Sequence, residues 1–202
     1  MSFVSAKAAC RRRLRATLQR MSPEARDQQS RDICSHLATL PEIVTARCLM
    51  LYAALPLEPD LDSLITHWTE AGKWVVLPRI EGTAPGHIEP VRVRGPEDLV
   101  AGYQGIREPG ESCQRIPLAG IELVLVPGLG FAPETGARIG KGRGHYDTFL
   151  TACERARQGQ PLRAIGVAFH EQCLPPDELP LEPHDRLLTG VVTAGGLTLP
   201  RR

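Results

Sequence analysis

The sequence predicts an α/β fold: a single-domain, three-layer, mostly parallel open sheet with helices on both faces, Rossmann-like in outline but without a GxGxxG fingerprint. Three observations carry this prediction. Short apolar runs of strand length alternate with segments of helical period, the pattern expected of strand–helix–strand units in a parallel sheet. The clearest run, IELVLV at residues 121–126, is followed at once by a glycine-rich stretch and then by another helical pattern. Finally, 202 residues with 42% apolar content make one domain-sized unit with ample material for a core. No internal repeat or linker divides the chain, so residues 1–202 are read as one domain.

The elements follow in order. In residues 6–21, Leu14, Leu18 and Met21 recur at helical spacing with arginines on the other faces. Ser22, Pro23 and Glu24 then supply an N-cap, a proline at the first helical position and an early acid. The second helix therefore spans 23–40, buries Ile33, Leu37 and Leu40, and stops at Pro41. Residues 47–54 (RCLMLYAA) read as a buried strand. A helix over 60–71 follows, with Asp60 as N-cap, Leu61, Leu64, Ile65 and Trp68 inward, and Gly72 at its end. Residues 74–77 are the next strand, and both tryptophans, Trp68 and Trp74, are assigned to packing. Residues 79–120 are rich in turn formers, with a strand at 88–93 and a short helix at 96–100. After the 121–126 strand and the glycine-rich segment comes a helix over 145–157, with Phe149 and Leu150 inward. Short strands at 163–169 and 190–193 are joined by a proline-rich stretch at 175–183.

Composition narrows the function. Twenty-four basic against 23 acidic side chains give a net charge of +1, which provides no bulk field for nucleic acid or an anionic membrane, so neither is an expected partner. No apolar run approaches the roughly 20 residues of a spanning helix. The six cysteines form no CxxC pair and no cluster, so they are read as reduced thiols of a cytoplasmic protein, without disulfide or metal. The first twenty residues nonetheless hold six cations (Lys7, Arg11, Arg12, Arg13, Arg15 and Arg20) and no acid. The scattered histidines at 36, 67, 87 and 170 have no ligand spacing and receive no role, while Gln172 is a candidate site-lining residue.

The segment PGLGFAPETGARIGKGRGHYD, residues 127–147, carries the chemistry. It holds six glycines between Gly128 and Gly144 and lies at the carboxyl end of a strand ahead of a helix, where open parallel sheets bind ligands. Gly140, Gly142 and Gly144 allow backbone N–H groups to approach an anion, and Arg138, Lys141 and Arg143 add three cations. The spacing matches neither GxxxxGK[ST] nor GxGxxG. The residues alone read as an anion-binding loop, with a structural glycine loop bearing solvated cations as the alternative.

The same stretch is similar to the signature of the 5-formyltetrahydrofolate cyclo-ligase family, also called 5,10-methenyltetrahydrofolate synthetases, whose usual form is close to PGxxFxxxGxRLGxGxGYYD. Three further stretches fall in that family's order: Lys7 and Arg11 with MSPEAR after them, YAALPLEPD at 52–60 with Pro78-Arg79 downstream, and His184-Asp185. The resemblance implies an ATP-dependent, C–N bond-forming cyclo-ligase that converts 5-formyltetrahydrofolate to 5,10-methenyltetrahydrofolate with Mg2+, releasing ADP and phosphate. The formyl oxygen attacks the γ-phosphate and N10 closes on the activated carbon.

It further implies that Lys7, Arg138 and Tyr146 are catalytic. Lys7 and Arg11, one turn apart on α-helical spacing, would reach ATP phosphates together with Arg138, Ile139, Gly140, Lys141, Gly142, Arg143, Gly144, His145 and Tyr146. Ala53 and Glu58 would contact the folate, and Asp147 and Asp185 would hold the metal. Three positions depart from the family pattern: His145 replaces the first tyrosine of its pair, Ile139 replaces leucine, and Thr189 stands where an acid is frequent. A monomer is expected. The competing readings are a non-catalytic nucleotide- or folate-binding homologue and, more remotely, an RNA-binding protein using its basic first helix.

Overall fold

In the computed structural model, which describes residues 3–80, 88–102, 107–182 and 185–201, the N-terminal basic segment is a helix, α1 (Phe3–Arg20). His87, Pro183 and His184 lie outside the described residues. Leu14 and Leu18 bury one stripe of α1, while Arg12, Arg13 and Arg15 stay exposed. Ser22 Oγ accepts the Ala25 N–H at 3.1 Å and starts α2 (Pro23–Thr39) as an N-cap does. α2 stops before Pro41 as expected, but a second helical turn follows at once. Leu40 turns extended, and the proline opens a further turn, α3 (Pro41–Thr45), because its fixed φ suits a first helical position.

The sheet follows. β1 (Cys48–Met50) is shorter than the apolar run that encodes it: after the Leu51 N–H donates to Val76 O at 2.8 Å, the chain leaves for the loop that carries Glu58. α4 (Asp62–Glu70) starts two residues later than expected, with Leu61 at its N-cap. Asp60 still serves the helix, since its Oδ1 accepts the Asp62 N–H at 2.9 Å. β2 (Trp74–Ile80) pairs antiparallel with β3 (Ile88–Val93). The short helix expected at 96–100 is a 3-10 turn, Pro96–Asp98, that runs into β4 (Leu99–Ala101), which pairs with β5 (Arg107–Pro109). β6 (Leu123–Val126), a hairpin of β7 (Gly130–Ala132) and β8 (Ala137–Ile139), α5 (His145–Ala156), β9 (Arg163–Val167), β10 (Gly190–Thr193) and β11 (Gly196–Thr198) complete the chain.

The seven-stranded order is β11-β10-β9-β6-β1-β2-β3, with five parallel strands in the middle and an antiparallel strand at each edge. Period two sorts its side chains. Leu49, Val75, Leu123, Leu125, Ile165 and Val192 pack under Leu18, Ile33, Leu37, Ile43 and Trp68 from α1 to α4. Met50, Val76, Val124, Val126 and Val191 pack under Phe149, Leu150 and Cys153 of α5. Helices therefore cover both faces, unequally. Trp74 departs from its assignment to packing: it is 43% exposed and carries the Arg92 guanidinium 4.5 Å above its ring.

Among the described residues no helix is long and apolar enough to cross a membrane. All six cysteines are free. Burial raises the thiol pKa of Cys48 to about 11 and that of Cys153 to about 12, which makes both poor nucleophiles.

Candidate functional site

The carboxyl ends of β1, β6 and β9 lead into three connecting segments, and the candidate side chains sit on them, at the start of α5, or on α1, which packs across. The glycine-rich segment is not one continuous loop. Its first half is the β7–β8 hairpin, where glycine serves packing: a Cβ on Gly128 would lie 2.8 Å from the Phe131 ring, and one on Gly130 would lie 2.6 Å from Leu14 Cδ1. Gly136 makes the hairpin turn at φ +75°, its carbonyl accepting the Leu188 N–H at 2.8 Å. The three glycines ahead of Gly140 therefore serve architecture. Only Gly140, Gly142 and Gly144 form the open loop, with Gly142 at φ +107° and Gly144 at φ +66°. Ile139 belongs to the hairpin; its side chain is buried in the core and its carbonyl accepts the Leu129 N–H at 2.8 Å.

Gln172 is fully buried and pins the start of this segment, donating from Nε2 to Gly128 O at 2.7 Å while Oε1 accepts the Phe169 N–H at 2.8 Å. It is a brace, and the sequence assignment to site lining is corrected on that ground.

Three ionic side chains at this edge are almost wholly buried: Lys7 at 6% exposure, Arg138 at 6% and Glu58 at 9%. Charges are buried only with partners, and each has one. Arg138 Nη2 donates to Asp147 Oδ1 at 2.8 Å, and the same oxygen accepts the Arg186 backbone N–H at 3.2 Å. Lys7 Nζ donates to Glu182 Oε2 at 2.7 Å and to Asp185 Oδ2 at 2.7 Å. Burial works against the Lys7 ammonium, but its hydrogen bonds to Asp185 and Glu182 outweigh burial and raise its pKa. Lys141 Nζ donates to Glu58 Oε1 at 2.6 Å, and Arg11 Nε donates to Gly140 O at 2.9 Å.

The pairs Lys7–Asp185, Arg138–Asp147 and Lys141–Glu58 and the Arg11 contact with Gly140 thus gather at one edge of the sheet, with the Tyr146 ring beside Arg138. Ala53 is half-buried on the Glu58 loop, and Arg143 is exposed at the loop tip. Glu182 was not legible as a site residue: an acid in a proline-rich turn has no motif, and only its 2.7 Å approach to Lys7 reveals it.

Two buried polar atoms at the base of the loop, Arg138 Nε and Tyr146 Oη, find no hydrogen-bond partner among the described residues. The Arg138 guanidinium lies 5.9 Å from the centre of the Tyr146 ring. Burial, with the nearby Glu58 charge, pushes the Tyr146 phenol well above its ordinary pKa, so at neutral pH it is a neutral donor. His145 is shifted down, first by burial and then by the Arg143 charge, which favours a neutral imidazole at pH 7. The site therefore offers ligands buried cations, an orphaned N–H, a neutral phenol and an open glycine loop. This donor set suits an oxyanion held away from water.

The sequence profile of the 5-formyltetrahydrofolate cyclo-ligase family matches residues 4–194, nearly the whole chain. The chain belongs to that family. A 5-formyltetrahydrofolate cyclo-ligase of Mycolicibacterium smegmatis is 31% identical over 193 residues, covering 86% of this chain and 95% of the relative. The Mus musculus cyclo-ligase is 28% identical over 187 residues, covering 90% of each chain. The fold agrees as well: the solved structure of Aquifex aeolicus 5,10-methenyltetrahydrofolate synthetase superposes with a TM-score of 0.79 at 29% identity, over 97% of this chain and 93% of that one. The cyclo-ligase signature thus lies on the β7–β8 hairpin, the open loop and the start of α5. Arg11 reaches that signature at Gly140 O from more than a hundred residues away, while Lys7, one turn earlier on α1, reaches Glu182 and Asp185.

Proposed function

We propose that this protein is a 5-formyltetrahydrofolate cyclo-ligase: it converts 5-formyltetrahydrofolate and ATP to 5,10-methenyltetrahydrofolate, ADP and phosphate. The observation that carries the reading is the convergence of buried Lys7, Arg138 and Glu58 around the 140–144 loop in a chain that belongs to this family. In the proposed reaction the formyl oxygen attacks the γ-phosphorus and ADP departs. N10 then adds to the activated carbon and gives up its proton to the departing phosphate, and the C–O bond to phosphate breaks as the methenyl bridge forms. Phosphoryl transfer needs mainly positioning and charge stabilisation, which preorganised cations provide.

Lys7 and Arg11 on α1, with Arg138 and the 140–144 loop, hold the polyphosphate. Tyr146 Oη and Arg138 Nε donate to the group being transferred, and Glu58 accepts N–H donors of the pterin ring. Ala53 offers no polar group of its own and shapes the folate side of the loop. His145 flanks the nucleotide as a neutral ring.

Among the described residues no three His, Cys, Asp or Glu side chains gather as a ready-made metal cage. Magnesium does not need one: it takes one or two carboxylates and completes its shell with water and phosphate oxygens. Asp147 and Asp185 fit that requirement, being hard donors brought near each other where Asp147 accepts the N–H of Arg186, the residue after Asp185, and each pairing with a cation of the site. Bound there, the ion would neutralise phosphate charge. Under this proposal the protein is a monomer working in the cytoplasm.

Mixing the protein with ATP, magnesium and 5-formyltetrahydrofolate is expected to give ATP-dependent growth of the methenyl product's near-ultraviolet absorbance. Binding of ATP without product at any magnesium concentration would reassign the protein to a non-catalytic role. Asp147→Asn keeps an acceptor for Arg138 and the Arg186 N–H but removes a charge. It is expected to lower turnover by at least about 10²-fold and to raise the magnesium needed for half-maximal rate, with little change in melting temperature. Full turnover in this variant would remove the metal assignment.

A further inference from the structure

The ion pair between Glu58 and Lys141 joins the two sides of the site. Glu58, on the 51–60 loop, has both oxygens engaged: Oε2 accepts the Leu55 N–H at 3.0 Å, and Oε1 lies 2.6 Å from Lys141 Nζ. Lys141 is exposed on the opposing loop between Gly140, whose carbonyl is tied to Arg11, and Gly142 at φ +107°. The other buried pairs do not bridge the sides in this way. Lys7 with Asp185 and Glu182, and Arg138 with Asp147, keep each nucleotide-side cation with an acid at the same end of the site.

This geometry sets up a competition. A polyphosphate on the 140–144 loop attracts Lys141 away from Glu58, because several phosphate oxygens outbid one carboxylate for the ammonium. Glu58 Oε1 then remains buried without its partner, which is costly until another donor arrives. The N–H groups of a pterin ring are such donors. The exchange runs equally in reverse: a pterin that occupies Glu58 releases Lys141 for phosphate.

We infer that Lys141 acts through Glu58 as a positioning residue, and that transfer of its ion pair from Glu58 to the nucleotide makes each substrate bind more tightly when the other is present. This rests on the proposed function, in which the 140–144 loop takes phosphate and Glu58 takes reduced folate. Linkage requires the effect to be reciprocal: the factor by which nucleotide tightens folate equals the factor by which folate tightens nucleotide.

The test is titration calorimetry on the full chain with 5-formyltetrahydrofolate, with and without a saturating magnesium complex of a non-hydrolysable ATP analogue. The native protein is expected to bind folate about tenfold more tightly with the analogue. In Lys141→Met, folate alone should bind several-fold more tightly than to the native protein, because Glu58 is no longer occupied. The analogue should then change folate affinity less than about twofold. Lys141→Arg should restore most of the coupling.

A native ratio of one, or an unaltered ratio in Lys141→Met, overturns the inference while leaving the activity intact. A lysine that only held phosphate would weaken the analogue and leave folate binding alone unmoved. A protein that binds no folate under either condition and forms no methenyl product overturns the underlying reading as well.

Discussion

Arg138→Met is expected to lower kcat by about 10³-fold, the scale on which preorganised cations act in phosphoryl transfer and oxyanion stabilisation. The guanidinium is buried beside the open loop, held at Nη2 by Asp147 and left with Nε unpartnered among the described residues. It is therefore oriented before any ligand arrives. A charge fixed in a dry site costs no reorganisation when the transition state forms. Arg138→Lys should recover little, because an ammonium is a point charge without the planar fork. The substitution also strips Asp147 of its side-chain partner, at a cost of about 1–3 kcal/mol. Turnover should therefore be compared with the melting curve on the same sample. A kcat within threefold of the native value would sink the role assigned to Arg138.

Gly136→Ala is the largest stability effect expected from a single methyl group. At φ +75° an L-residue is strained by about 1–3 kcal/mol. The new Cβ would also lie 2.3 Å from Leu188 O, a backbone atom that cannot swing aside. Together these should cost about 3 kcal/mol or more. For a chain of this size that lowers the melting temperature by roughly 6–12 °C. The damage is also functional, since the Gly136 contact with Leu188 anchors the segment that carries Asp185. Gly144→Ala is the control: φ is +66°, but nothing lies within 4 Å of the new Cβ, so only the strain of about 1–2 kcal/mol remains. Calorimetric melting of the two variants checks the contrast. Equal shifts would show that the backbone clash at Gly136 is relieved by movement of the 188 segment.

The two glycines show how far local pattern reaches. From sequence, Gly136 and Gly144 are members of one glycine-rich run, and only the alternate spacing of Gly140, Gly142 and Gly144 marks the last of them for ligand approach. Only the approach of Leu188, fifty-two positions on, assigns Gly136 to architecture. Gln172 was misread as site-lining because its Nε2 partner, Gly128 O, comes from a different part of the chain.

What depends on neighbours in sequence was legible. The Leu14–Leu18 stripe, the Ser22 cap, the two-residue alternation of the strands and the cyclo-ligase signature all depend on backbone period or contiguous residues, and they led to a mostly parallel sheet with a site at its carboxyl edge. The ends of elements were less legible. The chain leaves the sheet soon after Met50, short of Ala54, and a further helical turn opens at Pro41, because packing and hydrogen bonds from elsewhere decide where a strand or helix stops.

The charge balance was least legible of all. A net charge of +1 is silent about Lys7 lying against Glu182 and Asp185, Arg138 against Asp147, and Lys141 against Glu58. Those pairings join residues from 9 to 178 positions apart. An ion pair depends on distance and burial in space, so it comes into being only when the sheet brings its loops to one edge. Residue types and their local order therefore sufficed to name the chemistry this chain carries. Which cation is held by which acid, and so how the two substrates influence each other, was decided by the folded arrangement alone.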